Sequence, residues 1–185
     1  VFGDWSSDVC SSDLLADKMR TQGRQRLLIY YDQENAAYSL AYANELQQAF
    51  EAKGGVTVEK IAMETDEPDF EALVTVGRSS DPDAVLIIAS AVHTALLIQR
   101  ARLMDWDVAM YASDWAYSEA FIQTGGQAVE GVELVAAFDM DMDTPAMRSF
   151  EARYRQRFGY APNFGAMQAY ETMILLGRAL QQTGG

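Results

Sequence analysis

Two residue types central to covalent and metal chemistry are nearly missing from this 185-residue chain, which has one cysteine, Cys10, and one histidine, His93. A single cysteine makes no intrachain disulfide, and thiolate or imidazole metal clusters need several such ligands. Basic residues are also scarce: 14 Lys and Arg stand against 27 Asp and Glu, a net charge of −13. Such a chain is repelled by phosphate backbones and anionic headgroups, so nucleic acid and membrane surfaces are poor partners. Apolar runs such as Ala84 to Ala89 fall far short of the roughly 20 residues that cross a bilayer, so no direct membrane insertion is expected. What is present, 49% of it hydrophobic, suffices for one ordinary core or two small ones.

Enzyme signatures are missing too. No G-x-G-x-x-G follows the first apolar run, and there is no G-x-x-x-x-G-K-[ST], no G-x-S-x-G elbow and no H-E-x-x-H. A dinucleotide or phosphate enzyme is disfavoured, and groups for nucleophilic or metal catalysis are few. Carboxylate chemistry is untouched by these absences. We expect no enzyme activity, no catalytic residue, no cofactor and no metal.

Residues 1–14 show neither helical nor strand periodicity. The run Asp4-Trp5-Ser6-Ser7-Asp8-Val9-Cys10-Ser11-Ser12-Asp13-Leu14 repeats Ser-Ser-Asp and resembles the conceptual translation of a sequencing-library adapter; a natural polar leader is the other reading. It has neither the basic start nor the apolar core of a signal peptide. Residues 1–14 are therefore set aside as an artefactual leader with no fold. Cys10 goes with them, leaving no thiol chemistry, which is compatible with export. Removing Asp4, Asp8 and Asp13 leaves the chain acidic.

From Leu15 two periodicities alternate. Leu15 to Thr21 reads as a helix end stopped by Gly23, and Leu27 to Tyr31 as a fully buried strand running into Asp32-Gln33-Glu34-Asn35. A helix follows with the stripe Tyr38, Tyr42, Leu46, Ala49, Phe50, ended by Gly54-Gly55. The unit repeats: strand 56–63, helix 69–76, strand 84–88, helix 92–104, strand 108–111, helix 117–124, strand 132–136. This spacing predicts an α/β fold with a doubly wound, mostly parallel sheet covered by helices on both faces. Beyond Phe138 two helices follow, at about 145–158 and 164–182, with no further strand. Thr144-Pro145 is a cap and first helical position, and Phe158-Gly159-Tyr160-Ala161-Pro162 a stop and turn. These two helices have no sheet of their own to pack on.

Parallel doubly wound sheets bind ligands beyond the carboxyl ends of their strands. That selects four loops, at 32–37, 89–92, 112–115 and 138–141. Tyr38, on the first helical turn, can offer hydroxyl and ring to a ligand or belong to the helix's buried stripe. Asp114 can pair with an ammonium or amide donor, or cap the following helix through Tyr117. Ser90 can donate a hydroxyl to a ligand or serve as an N-cap. Trp115 completes the set, whereas His93, on a helix's first turn, is most simply solvated. Asp139-Met140-Asp141-Met142-Asp143 mimics the opening of an EF-hand loop, but Thr144 stands where glycine is needed and Phe150 where glutamate is needed, so it reads as a polar turn before a cap.

Several stretches in order, over residues 26–185, carry a family resemblance: Leu27-Leu28-Ile29-Tyr30-Tyr31-Asp32 leading to Ala37-Tyr38, Asp81-Pro82-Asp83-Ala84-Val85-Leu86, Ala112-Ser113-Asp114-Trp115, Ala128-Val129-Glu130-Gly131-Val132, and Phe158-Gly159-Tyr160-Ala161-Pro162. The chain resembles the type I periplasmic binding proteins, in their leucine/isoleucine/valine-binding branch of ABC-transporter substrate-binding proteins. The resemblance implies a fragment in which 15–137 is ligand-binding lobe 2, 138–143 crosses a hinge, and 144–185 supplies helices to an incomplete lobe 1. It implies an extracytoplasmic protein that holds an amino acid or similar small polar ligand between two lobes and is read by a membrane permease. Tyr38 and Asp114 match positions that contact ligand, the acid taking the ammonium; Ser39 departs from the family's glycine after the tyrosine. The fragment alone should bind amino acids weakly or not at all. A ligand-sensing domain of a receptor or regulator is the alternative, and a flavodoxin-like enzyme fits less well.

Overall fold

The computed structural model describes residues 11–64, 66–136, 144–162 and 164–184. The adapter-like residues 4–10 and the whole of the expected hinge at 138–143, with the Asp139 to Asp143 run, lie outside the described residues. The chain divides into two compact units, Val1–Ala137 and Phe138–Gly185.

In the first unit the apolar runs become five strands: β1 (Arg26–Asp32), β2 (Val56–Met63), β3 (Ala84–Ile88), β4 (Ala109–Ala112) and β5 (Glu133–Leu134). Their order is β2-β1-β3-β4-β5 and every pairing is parallel. Each strand is connected to the next by helical crossovers: α2 (Ala36–Ala52), α3 (Phe70–Ser79), α4 (Ala91–Leu103) and α5 (Glu119–Gly125), with α1 (Ser11–Thr21) ahead of β1. The fold is the doubly wound parallel α/β sheet that the alternating periodicity predicts.

The strands at the middle of the sheet have no polar face because both of their faces are covered. Val85 and Ile87 of β3 join Leu28 and Tyr30 of β1 in a cluster beneath α3 and α4. Leu86 and Ile88 join Leu27 and Ile29 in a second cluster beneath α1 and α2. All five β3 residues are fully buried, and each large one contributes about 1.5–3 kcal/mol of transfer free energy. Tyr30 solves its polar end by donating its hydroxyl to the Leu73 carbonyl at 2.8 Å, and burial pushes its ionisation well above the usual phenol range. Gly77 permits that approach of α3: a methyl group there would collide with the Tyr30 hydroxyl and lie 2.7 Å from Leu28 Cδ2. The Asp81-Pro82-Asp83 segment is a structural clasp. Asp83 accepts the Gln25 and Arg26 backbone N–H groups, and the Arg26 side chain donates to the Ser80 and Asp81 carbonyls.

Most boundaries shift by one to three residues, and three elements differ in kind from the sequence reading. Helix α1 starts at Ser11, inside the leader set aside as having no fold; Ser12 is buried, and Asp13 sits in the first turn, where the helix dipole favours a carboxylate. Leu15, Ala16 and Met19 then pack into the second cluster. The helix expected at 117–124 runs from Glu119 to Gly125, because the chain first makes a 3₁₀ turn at Asp114–Ala116 and leaves helical geometry at Tyr117. Strand β5 is two residues long instead of five, and pairs with the last two residues of the four-residue β4.

The second unit holds α6 (Pro145–Phe158) and α7 (Phe164–Thr183). Thr144 caps α6 by accepting the Met147 N–H at 3.2 Å. Gly159, at φ 83°, ends it by returning its N–H to the Arg155 carbonyl. Phe150 stacks on Tyr170 with centroids 4.3 Å apart, and Phe150 and Met167 are the buried apolar side chains of the pair.

Candidate ligand-binding site

The sheet order sets where a ligand can sit. From β1 the chain moves to the β2 edge and then crosses back over β1 to β3, so connections leave β1 and β3 in opposite directions. The crevice at their carboxyl ends is the switch point of the sheet. Loops from β1, β3 and β4 open on that edge.

After β1 the first loop is built by Asp32. Its carboxylate is buried and accepts the backbone N–H groups of Glu34 at 2.8 Å and Asn35 at 3.0 Å, an Asx turn that steers the chain into α2. Ser39, in place of glycine, is fully buried and donates its hydroxyl to the Asp32 carbonyl at 2.5 Å. The departure from the family pattern thus ties helix to strand and leaves α2 regular.

One turn into α2, Tyr38 reaches the loop after β4. Its hydroxyl donates to Asp114 Oδ1 at 2.7 Å. Its ring lies edge-on to Trp115, with centroids 5.7 Å apart and planes at 89°, and 6.1 Å from Tyr42. Burial, and then the Asp114 carboxylate accepting its proton, push the Tyr38 hydroxyl well above the usual phenol range. The ring borders the second cluster, as membership of the buried stripe predicts, and the hydroxyl is bonded to Asp114. Asp114 does not sit at the cap position of α5, which is Ser118; it lies on the 3₁₀ turn with its carboxylate turned to Tyr38.

Ser90 takes the capping role. Its oxygen accepts the His93 N–H at 3.3 Å and lies 3.1 Å from His93 Nδ1. The structure therefore brings together Tyr38, Asp114 and Trp115, and places Ser90 with His93 at the start of α4. The sequence reading passed over Ser113. Its side chain is fully buried beside Asp114 and its Oγ has no hydrogen-bond partner; a small polar residue at the last buried position before a loop was the available signal. Among the described residues no group of three or more His, Cys, Asp or Glu could hold a metal ion, and no helix is long and apolar enough to cross a membrane.

A carboxylate flanked by two aromatic rings at the switch point offers charge-assisted hydrogen bonds and apolar walls. Fold and topology together define a doubly wound parallel α/β module with a crevice at its switch point. The chain belongs to the periplasmic binding protein family, whose pattern matches residues 7–185. No curated protein matches it. Among solved structures, a leucine binding protein, LivK, of Thermotoga maritima is similar at 24% identity and TM-score 0.84, over 95% of this chain and 50% of that one. A solute binding protein of a Rhodopseudomonas palustris ABC transporter, in complex with benzoate, is similar at 17% identity and TM-score 0.82, over 95% and 48%. The branched-chain amino acid transporter substrate binding protein LivJ of Streptococcus pneumoniae, in complex with isoleucine, is similar at 18% identity and TM-score 0.77, over 92% and 49%. At these identities the likeness is one of fold, and the chain spans about half the length of the solved structures it matches.

Proposed function

We propose that this chain is part of the extracytoplasmic substrate-binding component of an ABC importer, and that it captures an amino acid or a similar ammonium-bearing ligand without transforming it. The observation that supports this best is the Tyr38–Asp114 hydrogen bond with Trp115 against Tyr38, since it aims a carboxylate held by a neutral donor at the switch point. Only one lone pair of that carboxylate is used by Tyr38, which leaves the other oxygen for an ammonium. The solved relatives divide between amino-acid and aromatic-acid ligands. An anion such as benzoate would face Asp114 with no compensating cation among Tyr38, Trp115 and Ser90, so the amino-acid class fits this chain better.

In this reading residues 11–136 form one jaw of a two-lobed clamp, and residues 138–143 belong to the hinge. A ligand bridging both jaws stabilises the closed form by its higher affinity for it, and a membrane permease engages that form. Residues 11–136 alone hold one side of the ligand, so they should bind weakly.

The test is a thermal-shift screen of amino acids, short amides and benzoate against a two-lobed form of the protein. Amino acids at a hundredfold excess over Kd should stabilise it by about 2.7 kcal/mol, and Asp114→Ala should abolish the shift. Stabilisation by benzoate alone, or an amino-acid response indifferent to Asp114→Ala and Tyr38→Ala, would overturn the proposal.

A further inference from the structure

The loops at the carboxyl edge of the sheet carry charge of one sign. Segments 32–37, 64–69, 89–92 and 112–119 hold eight Asp and Glu and no Lys or Arg. The bases of residues 11–136 gather at the opposite edge. The last turns of α1, α3 and α4, the C-cap of α2 and the approach to β1 hold eight of the nine, and the ninth, Lys60, lies on β2. The five residues of β3 set the two edges about 17 Å apart. That exceeds the Debye length of about 8 Å at physiological salt, so the basic edge does not neutralise the crevice.

Local structure accounts for part of this acidity. Asp32 turns the chain, Asp69 caps α3 by accepting the Ala72 N–H at 2.9 Å, and Glu119 sits in the first turn of α5, where the helix dipole favours it. Glu64, Asp66 and Glu67 have no such reason: they are exposed and lie ahead of the α3 cap, outside any helix's first turn. With Gln33 and Glu34 they line a hollow of about 500 Å³ between the loops after β1 and β2. The Gln33 N–H, bonded to the Met63 carbonyl at 3.0 Å, holds those loops side by side. On the other side of the crevice, after β4, stands Asp114 with its bond from Tyr38. Where backbone N–H groups at the starts of α3 and α4 could receive an anion, Asp69 and Ser90 already accept.

We propose that this crevice selects amines of net positive charge over zwitterionic amino acids. This rests on the reading of Asp114 as the ammonium acceptor and narrows the ligand class. An α-amino acid carries its carboxylate on the same carbon as its ammonium. Placing the ammonium on Asp114 therefore brings a second anion into a field where no Lys or Arg of these loops can receive it, and like-charge juxtaposition is costly. An amide in place of that carboxylate keeps the ammonium and removes the repulsion. The field also acts before contact, since a cleft lined by one sign of charge raises the association rate of a counter-ion roughly ten- to a thousandfold, an effect that fades with ionic strength.

Matched ligands separate charge from shape. Glycine, leucine and phenylalanine are each titrated calorimetrically, beside their amides, into a two-lobed form of the protein at about pH 6, where an α-amino group is charged. For whichever side chain is accepted, the amide should bind about tenfold more tightly than the acid. The gap should narrow in roughly 1 M salt, where the Debye length is about 3 Å. The triple variant Glu64→Gln, Asp66→Asn, Glu67→Gln keeps Tyr38, Asp114 and Trp115. In stopped-flow measurements at low salt it should slow association of the amide about tenfold and leave dissociation unchanged. An amino acid that binds as tightly as its amide, or a triple variant that associates like wild type, would overturn this inference and leave Asp114 as an ammonium acceptor. If neither the acids nor the amides bind, the inference falls together with the functional reading.

Discussion

The two units of this chain solve the same problem with unequal success. In the first, helices lie on both faces of the sheet, so β3 is buried on each side and the apolar residues of β1 serve two clusters. In the second, α6 and α7 meet through the Phe150–Tyr170 stack. Phe150 and Met167 are covered, whereas Met173 and Leu175 keep about two-thirds of their surface exposed (63% and 64%), and Leu176, Leu180 and Phe158 about half. A third layer is what separates them: a sheet sandwiched by helices closes its own core, and a helix pair with apolar residues around much of α7 does not. Such a surface is the kind that associates.

The largest test of that difference is a matched pair of truncations. Leu86→Ala, in a strand with no exposed side chain, should cost about 3 kcal/mol and lower the urea midpoint of the whole first unit. Met167→Ala should cost about 2 kcal/mol, the low end for a buried methionine, because the cavity it leaves can collapse. Equal losses by denaturant titration would mean that the helix pair is packed as tightly as the sheet.

A subtler pair uses two helical glycines with opposite surroundings. Gly77→Ala in α3 drives a methyl into Tyr30 and Leu28 and should destabilise by about 1–3 kcal/mol. Gly177→Ala in α7 meets nothing within 4 Å and should raise helix stability by about 0.5–1 kcal/mol. Both signs can be read from thermal midpoints, and a gain at Gly77 would contradict the described fit of α3 on the sheet.

The contrast also explains what could be seen in the sequence. Strands β2 and β3 and helix α6 match the sequence reading residue for residue, because their ends are marked by Gly54-Gly55, Asp83, Thr144-Pro145 and Gly159. The region from Asp114 to Leu134 reads worse. Its 3₁₀ turns and two-residue strand have no period long enough to recognise, and a 3₁₀ turn is fixed by what it packs on. The candidate site divides the same way. Loop positions followed from topology, so Tyr38, Asp114 and Trp115 could be named; their mutual contact spans 76 residues of sequence, and no local pattern reports it. Ser90 as a cap was visible as an alternative from the start. Ser113 was missed because an orphaned hydroxyl is a property of packing.

At the site itself the comparison can be sharpened with one atom. Tyr38→Phe keeps the ring against Trp115 and removes the bond to Asp114. That bond is charge-assisted yet partly open to solvent, so its loss should cost the first unit about 1 kcal/mol. The second unit should be unaffected. Undiminished stability by urea titration would mean that solvent satisfies Asp114 as well as Tyr38 does.

The alkaline effect is graded with pH, and its sign follows from the protonation states. Below the ordinary tyrosine value of 10.0, Tyr38 is neutral in folded and unfolded chains alike and its stabilisation is fully present. Above it the unfolded chain releases the proton while the folded chain retains it, because burial and Asp114 disfavour a phenolate there. The unfolded state then binds fewer protons, and stability falls as pH rises, until the folded group ionises too. Tyr30 adds to the same slope through its own burial. The first unit should therefore lose stability progressively above pH 10, by up to about 1.4 kcal/mol per pH unit for each such tyrosine, and the Tyr38→Phe variant should lose it less steeply. Unfolding curves collected from neutral to strongly alkaline pH would show this. Identical slopes in wild type and Tyr38→Phe would place the Tyr38 hydroxyl in water, away from Asp114.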